Sequence, residues 1–137
     1  MTANSRNKGS AFEREVAAIL HAELGMTFKR DLEQYRANER GDLICDNPDW
    51  PFLLELKRYA SGNGCRQEWW AQAYRAAIAQ NLRPVVIYKF DRLPIRACMN
   101  LKDVMECIGR GQWSAENHQI DMPLSAFFYI AREGMCQ

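Results

Sequence analysis

The sequence predicts an α/β protein with one domain, in which helices flank a mixed central sheet and a β-α-α extension follows at the C-terminus. The composition is that of a globular chain with a single core: 137 residues, 47% hydrophobic and 26% charged. Apolar residues recur at helical spacing in some segments and form short continuous runs in others. These segments follow the order α-β-β-β-α-β before the extension, which favours a sheet covered by helices. We expect the core to span residues 6–92 and the extension residues 93–137.

The predicted elements follow from capping patterns, apolar runs and turn residues. Ser10 and Glu13 have the spacing of a capping box, so the first helix is predicted to begin at Ser10 and to end before Gly25. Segments 42–45 and 51–59 are predicted to pair as a hairpin. The complete set after the first helix is a strand at 26–30, a loop at 31–40, strands at 42–45 and 51–59, a helix at 66–81, strands at 85–88 and 95–99, and helices at 101–108 and 124–132.

Composition and charge exclude several classes of protein. No apolar run approaches the roughly 18–20 residues that cross a bilayer, and the polar start MTANSRNKGS is unlike a secretory signal, so we expect a cytoplasmic protein without a membrane partner. The five cysteines are odd in number and form no Cys-x-x-Cys pair, which argues against a disulfide framework and a zinc site. The net charge is only +1, but residues 54–92 contain seven basic and three acidic side chains. An anionic ligand would be tolerated there.

The segment Glu55-Leu56-Lys57 is the strongest candidate site. Residues two apart on a strand share a face, so Glu55 and Lys57 project together while Leu54 and Leu56 face the core. Asp42 begins the preceding strand and can approach Glu55 across a hairpin. Two converging carboxylates form an oxygen site for Mg²⁺, and Lys57 could orient or help deprotonate a water, or stabilise charge on a phosphate. These groups suit hydrolysis of a phosphodiester.

Simpler interpretations exist for the same residues. Ten Glu and five Lys produce about 0.4 Glu-x-Lys patterns by chance in a chain of this length. An exposed ion pair between Glu55 and Lys57 would be worth at most about 1 kcal/mol. Glu13 can be a helix cap, or a carboxylate that falls between Leu20 and Leu24 on the buried face and needs a partner.

Three motifs together resemble those of a known nuclease family. Residues 8–14 (KGSAFER) look like a helix-opening motif, Gly41-Asp42-Leu43 like a first catalytic strand, and residues 54–57 (LELK) like a second. In order and spacing, over residues 6–90, they resemble the archaeal-type Holliday-junction resolvases of the PD-(D/E)xK nuclease superfamily. Three features depart from that pattern: Gly41 stands where Pro is frequent, the chain is nearly neutral rather than basic, and the tail after Asp91 has no counterpart.

The resemblance implies a restriction-endonuclease-like fold and a Mg²⁺-dependent endonuclease, with Mn²⁺ as a substitute, that acts on four-way or other branched DNA in recombination and repair. It implies that Asp42 and Glu55 bind the metal, that Lys57 is the catalytic lysine and that Glu13 completes the acidic cluster. It further implies a homodimer that nicks two strands symmetrically. The compact chain suggests a phage or prophage gene, acting in the cytoplasm of a bacterial or phage-infected cell.

DNA-binding residues are predicted less directly. Gln72 resembles a glutamine found at this place in relatives, although it is predicted on the side of its helix away from the main apolar stripe. The complete set of expected DNA contacts is Lys8, Arg30, Arg36, Arg58, Arg66 and Gln72.

Three alternatives remain open from the sequence. The first is a repair or restriction-type nuclease that acts on linear or damaged duplex DNA. The second is a catalytically inactive DNA-binding protein, and the third is an interaction module in which Glu55 and Lys57 form only a surface pair.

Overall fold

The computed structural model describes residues 2–32, 41–109 and 118–136, with side chains described from residue 8 onward. Four helices and six strands lie in this part of the chain. The helices are α1 (Thr2–Leu24), α2 (Gln67–Gln80), α3 (Leu101–Cys107) and α4 (Leu124–Met135). The strands are β1 (Phe28–Arg30), β2 (Leu43–Cys45), β3 (Phe52–Tyr59), β4 (Arg83–Phe90), β5 (Arg96–Asn100) and β6 (Gln119–Pro123).

The six strands form one mixed sheet in the order β1-β2-β3-β4-β5-β6. Strands β3 and β4 are parallel and are connected through α2, whereas the other neighbouring pairs are antiparallel. The predicted hairpin between β2 and β3 is confirmed, with Leu43 opposite Leu54. A helix-covered sheet with one parallel crossover is the predicted α/β architecture.

The two faces of the sheet are covered by different helices. Leu54 and Leu56 lie in the larger core, together with buried residues of α1, α3 and α4. Leu53 and Val86 lie on the opposite face, in smaller clusters under α2. Because side chains alternate along β3, Glu55 is directed to the α2 face. The polar residues of the candidate site therefore lie between the sheet and α2.

The predicted start of the first helix is wrong. Helix α1 begins at Thr2, so Ser10 and Glu13 lie inside it and form no capping box. The Ser10 Oγ instead accepts a hydrogen bond from Arg30 Nη2 at 3.0 Å. A Ser-x-x-Glu pattern marks a helix terminus only when no helical turn precedes it, and here such turns are present.

The predicted C-terminal β-α-α extension lacks one element that the structure contains. Strand β6 lies between α3 and α4 and pairs with β5 along its whole length, so this region has the order β-α-β-α and continues the sheet. Met122 of β6 is 6% exposed and Phe127 of α4 is fully buried in the main core. Residues 93–136 are thus built into the domain where the structure describes them.

Two further findings concern disulfide bonds and membrane-spanning helices. None of the five cysteines forms a disulfide. In residues 2–32, 41–109 and 118–136, no helix combines the length and apolar character that a membrane span requires.

Candidate active site

Asp42 is fixed to β3 through its backbone and its side chain. Its backbone N–H donates to the Leu54 carbonyl at 2.7 Å, and the Leu56 N–H donates to Asp42 Oδ2 at 2.6 Å. Gly41 has a φ of 85°, and a Cβ added there would lie 2.8 Å from the Leu54 carbonyl oxygen. Proline, with φ held near −65°, could not adopt this backbone. Glycine at the usual proline position therefore permits the close approach that places Asp42.

Glu55 lies on β3 next to this anchor point. Its relative exposure is 4%, which is low for a carboxylate, and its neighbours Leu54 and Leu56 face the opposite core. Asp42 and Glu55 flank the paired residues Leu43 and Leu54 of the two strands, so they lie opposite each other, and Glu55 influences the pKa of Asp42. The predicted convergence of the two acidic residues across the hairpin is therefore present.

The environment of Asp42 disfavours its negative charge. Burial is the largest cause that raises the pKa of Asp42, and the negative charge of Glu13 raises it further. The hydrogen bond from Leu56, the positive charge of Lys57 and the interaction with Glu55 oppose this rise. A site of this kind gains stability from an added cation.

The side chain of Lys57 is held by a residue of α2. Its Nζ donates to Gln72 Oε1 at 2.9 Å, across 15 residues of sequence. The predicted orientation of Gln72 away from the apolar stripe is wrong: Gln72 is half-buried, and Trp69 and Ala76, three residues before it and four after it, are both buried. Residues at these spacings share a helix face, so Gln72 lies on the side of α2 that faces the sheet.

Glu13 has a different partner. Its Oε2 accepts a hydrogen bond from Arg30 Nε at 2.6 Å, and its side chain is 17% exposed. Glu13 is near enough to influence the pKa of Asp42. Among the described residues, however, no group of three or more Asp, Glu, His or Cys side chains is close enough to hold a metal ion. The structure brings Asp42 and Glu55 together, and places Glu13 with Arg30.

Two predicted DNA-binding residues share one carboxylate. Lys8 Nζ lies 3.6 Å from Asp91 Oδ1, and Arg58 Nη2 lies 2.6 Å from the same atom. The hydrogen bond from Arg58 is the largest cause that lowers the pKa of Asp91, so Asp91 is ionised and partly neutralises both cations. Lys8 and Arg58 are therefore brought together from α1 and β3.

A third predicted contact, Arg66, lies over two aromatic rings. Its guanidinium carbon is 4.8 Å from the ring centre of Tyr59 and 5.0 Å from that of Trp69. These rings are stacked, with centres 5.1 Å apart, and Tyr59 is 40% exposed. Because side chains alternate along β3, Tyr59 lies on the same face as Glu55. This pattern in the sequence could have identified Tyr59 as a neighbour of the site, but Tyr59 was not among the predicted residues. The predicted contact Arg36 lies outside the described residues.

The residues present fit a divalent cation. Asp42 and Glu55 supply carboxylate oxygens, which are the donors that Mg²⁺ and Mn²⁺ accept. The raised pKa of Asp42 reflects poorly solvated negative charge that a cation would offset. A half-buried Asp42 and a buried Glu55 beside a held lysine define a class of site suited to phosphodiester hydrolysis.

Comparison with known proteins agrees with a site for phosphodiester hydrolysis. The sequence model of the family described as "Phage putative PDDEXK endonuclease" matches residues 4–122. The chain therefore belongs to this family of nucleases, and its predicted place in the PD-(D/E)xK superfamily is confirmed. The match continues through β5 and α3 into β6, beyond the range of the motifs found in the sequence.

A solved structure shares the fold. It is the 1.6 Å structure of Archaeoglobus fulgidus Hjc, a Holliday junction resolvase from an archaeal hyperthermophile. The TM-score is 0.55 at 14% sequence identity, and the match covers 90% of this chain and 98% of that one. No curated protein matches the chain. The likeness confirms the predicted restriction-endonuclease-like fold.

Proposed function

We propose that this protein is a divalent-metal-dependent DNA endonuclease that hydrolyses phosphodiester bonds in branched DNA, with the four-way Holliday junction as its substrate. The observation that carries the proposal is the position of Asp42, whose Oδ2 accepts from the Leu56 N–H at 2.6 Å, opposite the buried Glu55 in the hairpin of β2 and β3. Membership in an endonuclease family supports the reaction class. The structural likeness to a protein described as a Holliday junction resolvase supports the choice of substrate.

Each acidic residue has a proposed role. Asp42 and Glu55 would hold Mg²⁺ or Mn²⁺, and the bound cation would supply Lewis acidity to a phosphate oxygen and lower the pKa of a water. The Leu56 N–H keeps the Asp42 carboxylate oriented. Glu13 completes the acidic group by adding negative charge near Asp42 and by holding Arg30.

Lys57 is the proposed catalytic lysine. Its ammonium group can orient the attacking water or donate to a phosphate oxygen whose negative charge grows during the reaction. The contact with Gln72 limits where Nζ can lie, so the group is positioned before substrate binds. Gln72 is in this account a positioning residue.

The DNA strand would be held by the basic side chains around this centre. Four of these predicted contacts come from different elements or loops: Arg30, Lys8, Arg58 and Arg66. The fifth basic contact that we propose is Arg36, which lies outside the described residues. Such contacts fix the register of a duplex without reading its sequence. Two copies of the chain would supply two sites and allow paired nicks in a two-fold symmetric junction. We place this activity in the cytoplasm of a bacterial or phage-infected cell.

The test is cleavage of an end-labelled four-way junction and of a linear duplex with the same arm sequence, in Mg²⁺ and in chelator. We expect symmetric paired nicks in the junction alone, only with the metal. Glu55→Gln should lower the rate at least 100-fold, whereas Glu15→Gln, an exposed carboxylate of α1, should not.

The other outcomes separate the alternatives. Equal cleavage of the duplex overturns junction selectivity and favours a repair or restriction-type nuclease. Tight junction binding without cleavage overturns the enzymatic proposal and favours an inactive DNA-binding protein. Absence of both binding and cleavage favours the interaction module.

A further inference from the structure

A second site lies on the α2 face of the sheet, on the strands that follow β3, which carries Glu55 and Lys57. It is a cavity of about 560 Å³ bounded by the β3–α2 connection, the β4–β5 turn and strands β4, β5 and β6. This volume falls within the range of pockets that hold small organic groups. Its lining consists of Gly62, Asn63, Gly64, Cys65, Tyr88, Phe90, Leu93, Pro94, Arg96, Cys98, Gln119 and Asp121.

The cavity is adjacent to the proposed catalytic centre. Tyr88, in its wall, pairs with Lys57 of β3 on one side and with Arg96 of β5 on the other. Neighbouring strands lie about 4.8 Å apart, so the backbone at Arg96 is about 10 Å from that at Lys57. A nucleotide near the reacting phosphate could therefore reach the cavity.

The lining combines an apolar part with a polar end. Phe90, Leu93 and Pro94 supply the apolar part. At the polar end, Asp121 accepts hydrogen bonds from the Tyr88 hydroxyl and from Arg96 Nε, the latter at 2.7 Å. Arg96 and Asp121 are the two charged residues of the lining, and they neutralise each other. A cavity without net charge does not favour a phosphate.

Glycine shapes the wall of the cavity that lies over Phe90. A Cβ at Gly62 would lie 2.3 Å from the Phe90 ring, so any other residue would displace the ring or the loop. Gly64, two residues further along the chain, has open space around it, with nothing within 4 Å of an added Cβ. The β3–α2 connection thus approaches the Phe90 ring closely at Gly62 and not at Gly64.

We infer that this cavity takes a nucleobase of the DNA strand, turned out of the helix next to the cleaved phosphate. A base is flat and uncharged, with donors and acceptors on its edge, which matches an apolar lining that ends in Arg96, Asp121 and Gln119. This assignment rests on the proposed function, because the strand enters through the Asp42–Glu55 centre. Unstacking is easiest at a branch point or mismatch, so the cavity would favour such DNA.

The first arm of the test uses free 2′-deoxynucleosides and metal-free protein, so it is independent of cleavage. Backbone NMR signals of residues 62–65, 93–98 and 119–121 should shift and saturate at millimolar ligand. Leu93→Trp, which adds bulk at an exposed residue of the lining, should weaken binding at least tenfold. Ile78→Trp replaces an exposed apolar residue elsewhere, 64% exposed against 50% for Leu93, and should leave binding unchanged. Gln119→Ala is a second variant that removes an edge contact without adding bulk.

The second arm places 2-aminopurine at successive positions of a four-way junction, bound in chelator. We expect fluorescence to change severalfold at one position near the cut, in the wild type and Ile78→Trp but not in Leu93→Trp. Nucleoside binding without this signal overturns the inference and indicates a site for free nucleosides. Absence of both signals also overturns it. Failure of the nuclease proposal itself would instead appear as absence of Mg²⁺-dependent cleavage.

Discussion

The Lys57–Gln72 contact links the chemistry of β3 to the packing of α2. Because Gln72 Oε1 accepts from Nζ at 2.9 Å, its removal should leave the ammonium group mobile without removing it. We expect Gln72→Ala to lower kcat by roughly 10–100-fold and to change KM by less than about threefold. Steady-state kinetics on a four-way junction measures both quantities.

A matched control for this variant exists on the same helix. Gln80 is the last residue of α2 and is also half-buried, but the cavity it lines lies beside β2, away from Lys57. Gln80→Ala should retain the wild-type kcat. Equal kinetics for Gln72→Ala and the wild type would show that Lys57 needs no positioning by α2.

We expect Asp42 to make the stability of the metal-free protein depend on pH. Since burial raises its folded pKa above the usual 3.8, the folded state retains the proton more strongly than the unfolded chain. Stability therefore falls as pH rises from about 3.8 through the raised pKa. Asp42→Asn keeps a carbonyl acceptor for the Leu56 N–H and removes the charge. In chelator at pH 7 its Tm should exceed that of the wild type by about 2–5 °C.

Thermal unfolding between pH 3.5 and 8 measures this difference. The gap between Asp42→Asn and the wild type should shrink towards pH 3.5, and Mn²⁺ should stabilise the wild type and Asp49→Asn but not Asp42→Asn. Asp49→Asn, an exposed carboxylate in the β2–β3 turn, provides the control. A wild type more stable than Asp42→Asn in chelator at every pH would contradict the electrostatic account.

Helix α4 is as much a part of the hydrophobic core as β2 and β3, the strands at the candidate active site. Phe127 is fully buried and packs edge-on against Trp50 and Phe52, with ring centres 6.2 and 5.3 Å away. Phe127→Ala should lower the free energy of unfolding by about 3–5 kcal/mol, as measured by urea denaturation. Tyr129→Ala, on the exposed side of the same helix, should change it by less than about 0.5 kcal/mol. Equal effects would show that α4 is peripheral.

The helices and strands could be predicted where each one has its own pattern of apolar residues in the sequence. Apolar runs located β3 and β4, and helical periodicity located α1 up to its end at Leu24. Strand β6 was missed because it is a five-residue edge strand that ends in Pro123, and its pairing with β5 is not visible in the local sequence. The start of α1 was misplaced because Ser10 and Glu13 are used in a tertiary contact that no local rule reveals.

The same distinction applies to the site. Alternation along β3 and a hairpin were sufficient to bring Asp42, Glu55 and Lys57 to one place. The partners of these residues come from elements distant in sequence: Gln72 from α2 and, for Glu13, Arg30 from β1. Such pairs depend on how helices pack on the sheet, which periodicity does not determine.

The distribution of charge over the molecule predicts how DNA affinity can be changed. Asp91 partly neutralises Lys8 and Arg58, so Asp91→Asn should free two cations for phosphate. We expect about 3–10-fold tighter binding at low salt, with the slope of log affinity against log salt steeper by about 1–2. Fluorescence anisotropy across a salt series measures both. Asp49→Asn changes net charge equally and should have a smaller effect; equal effects of the two variants would exclude a local role for Asp91.

The most direct test of the proposed centre is a calorimetric titration of the metal-free protein with Mn²⁺. If Asp42 and Glu55 hold the cation, the wild type and Glu15→Gln will bind Mn²⁺ with saturable heat, and Asp42→Asn and Glu55→Gln will lose that heat while remaining folded. Wild-type binding that persists in both the Asp42 and Glu55 variants, or absence of binding in the wild type, would contradict the assignment of the metal centre.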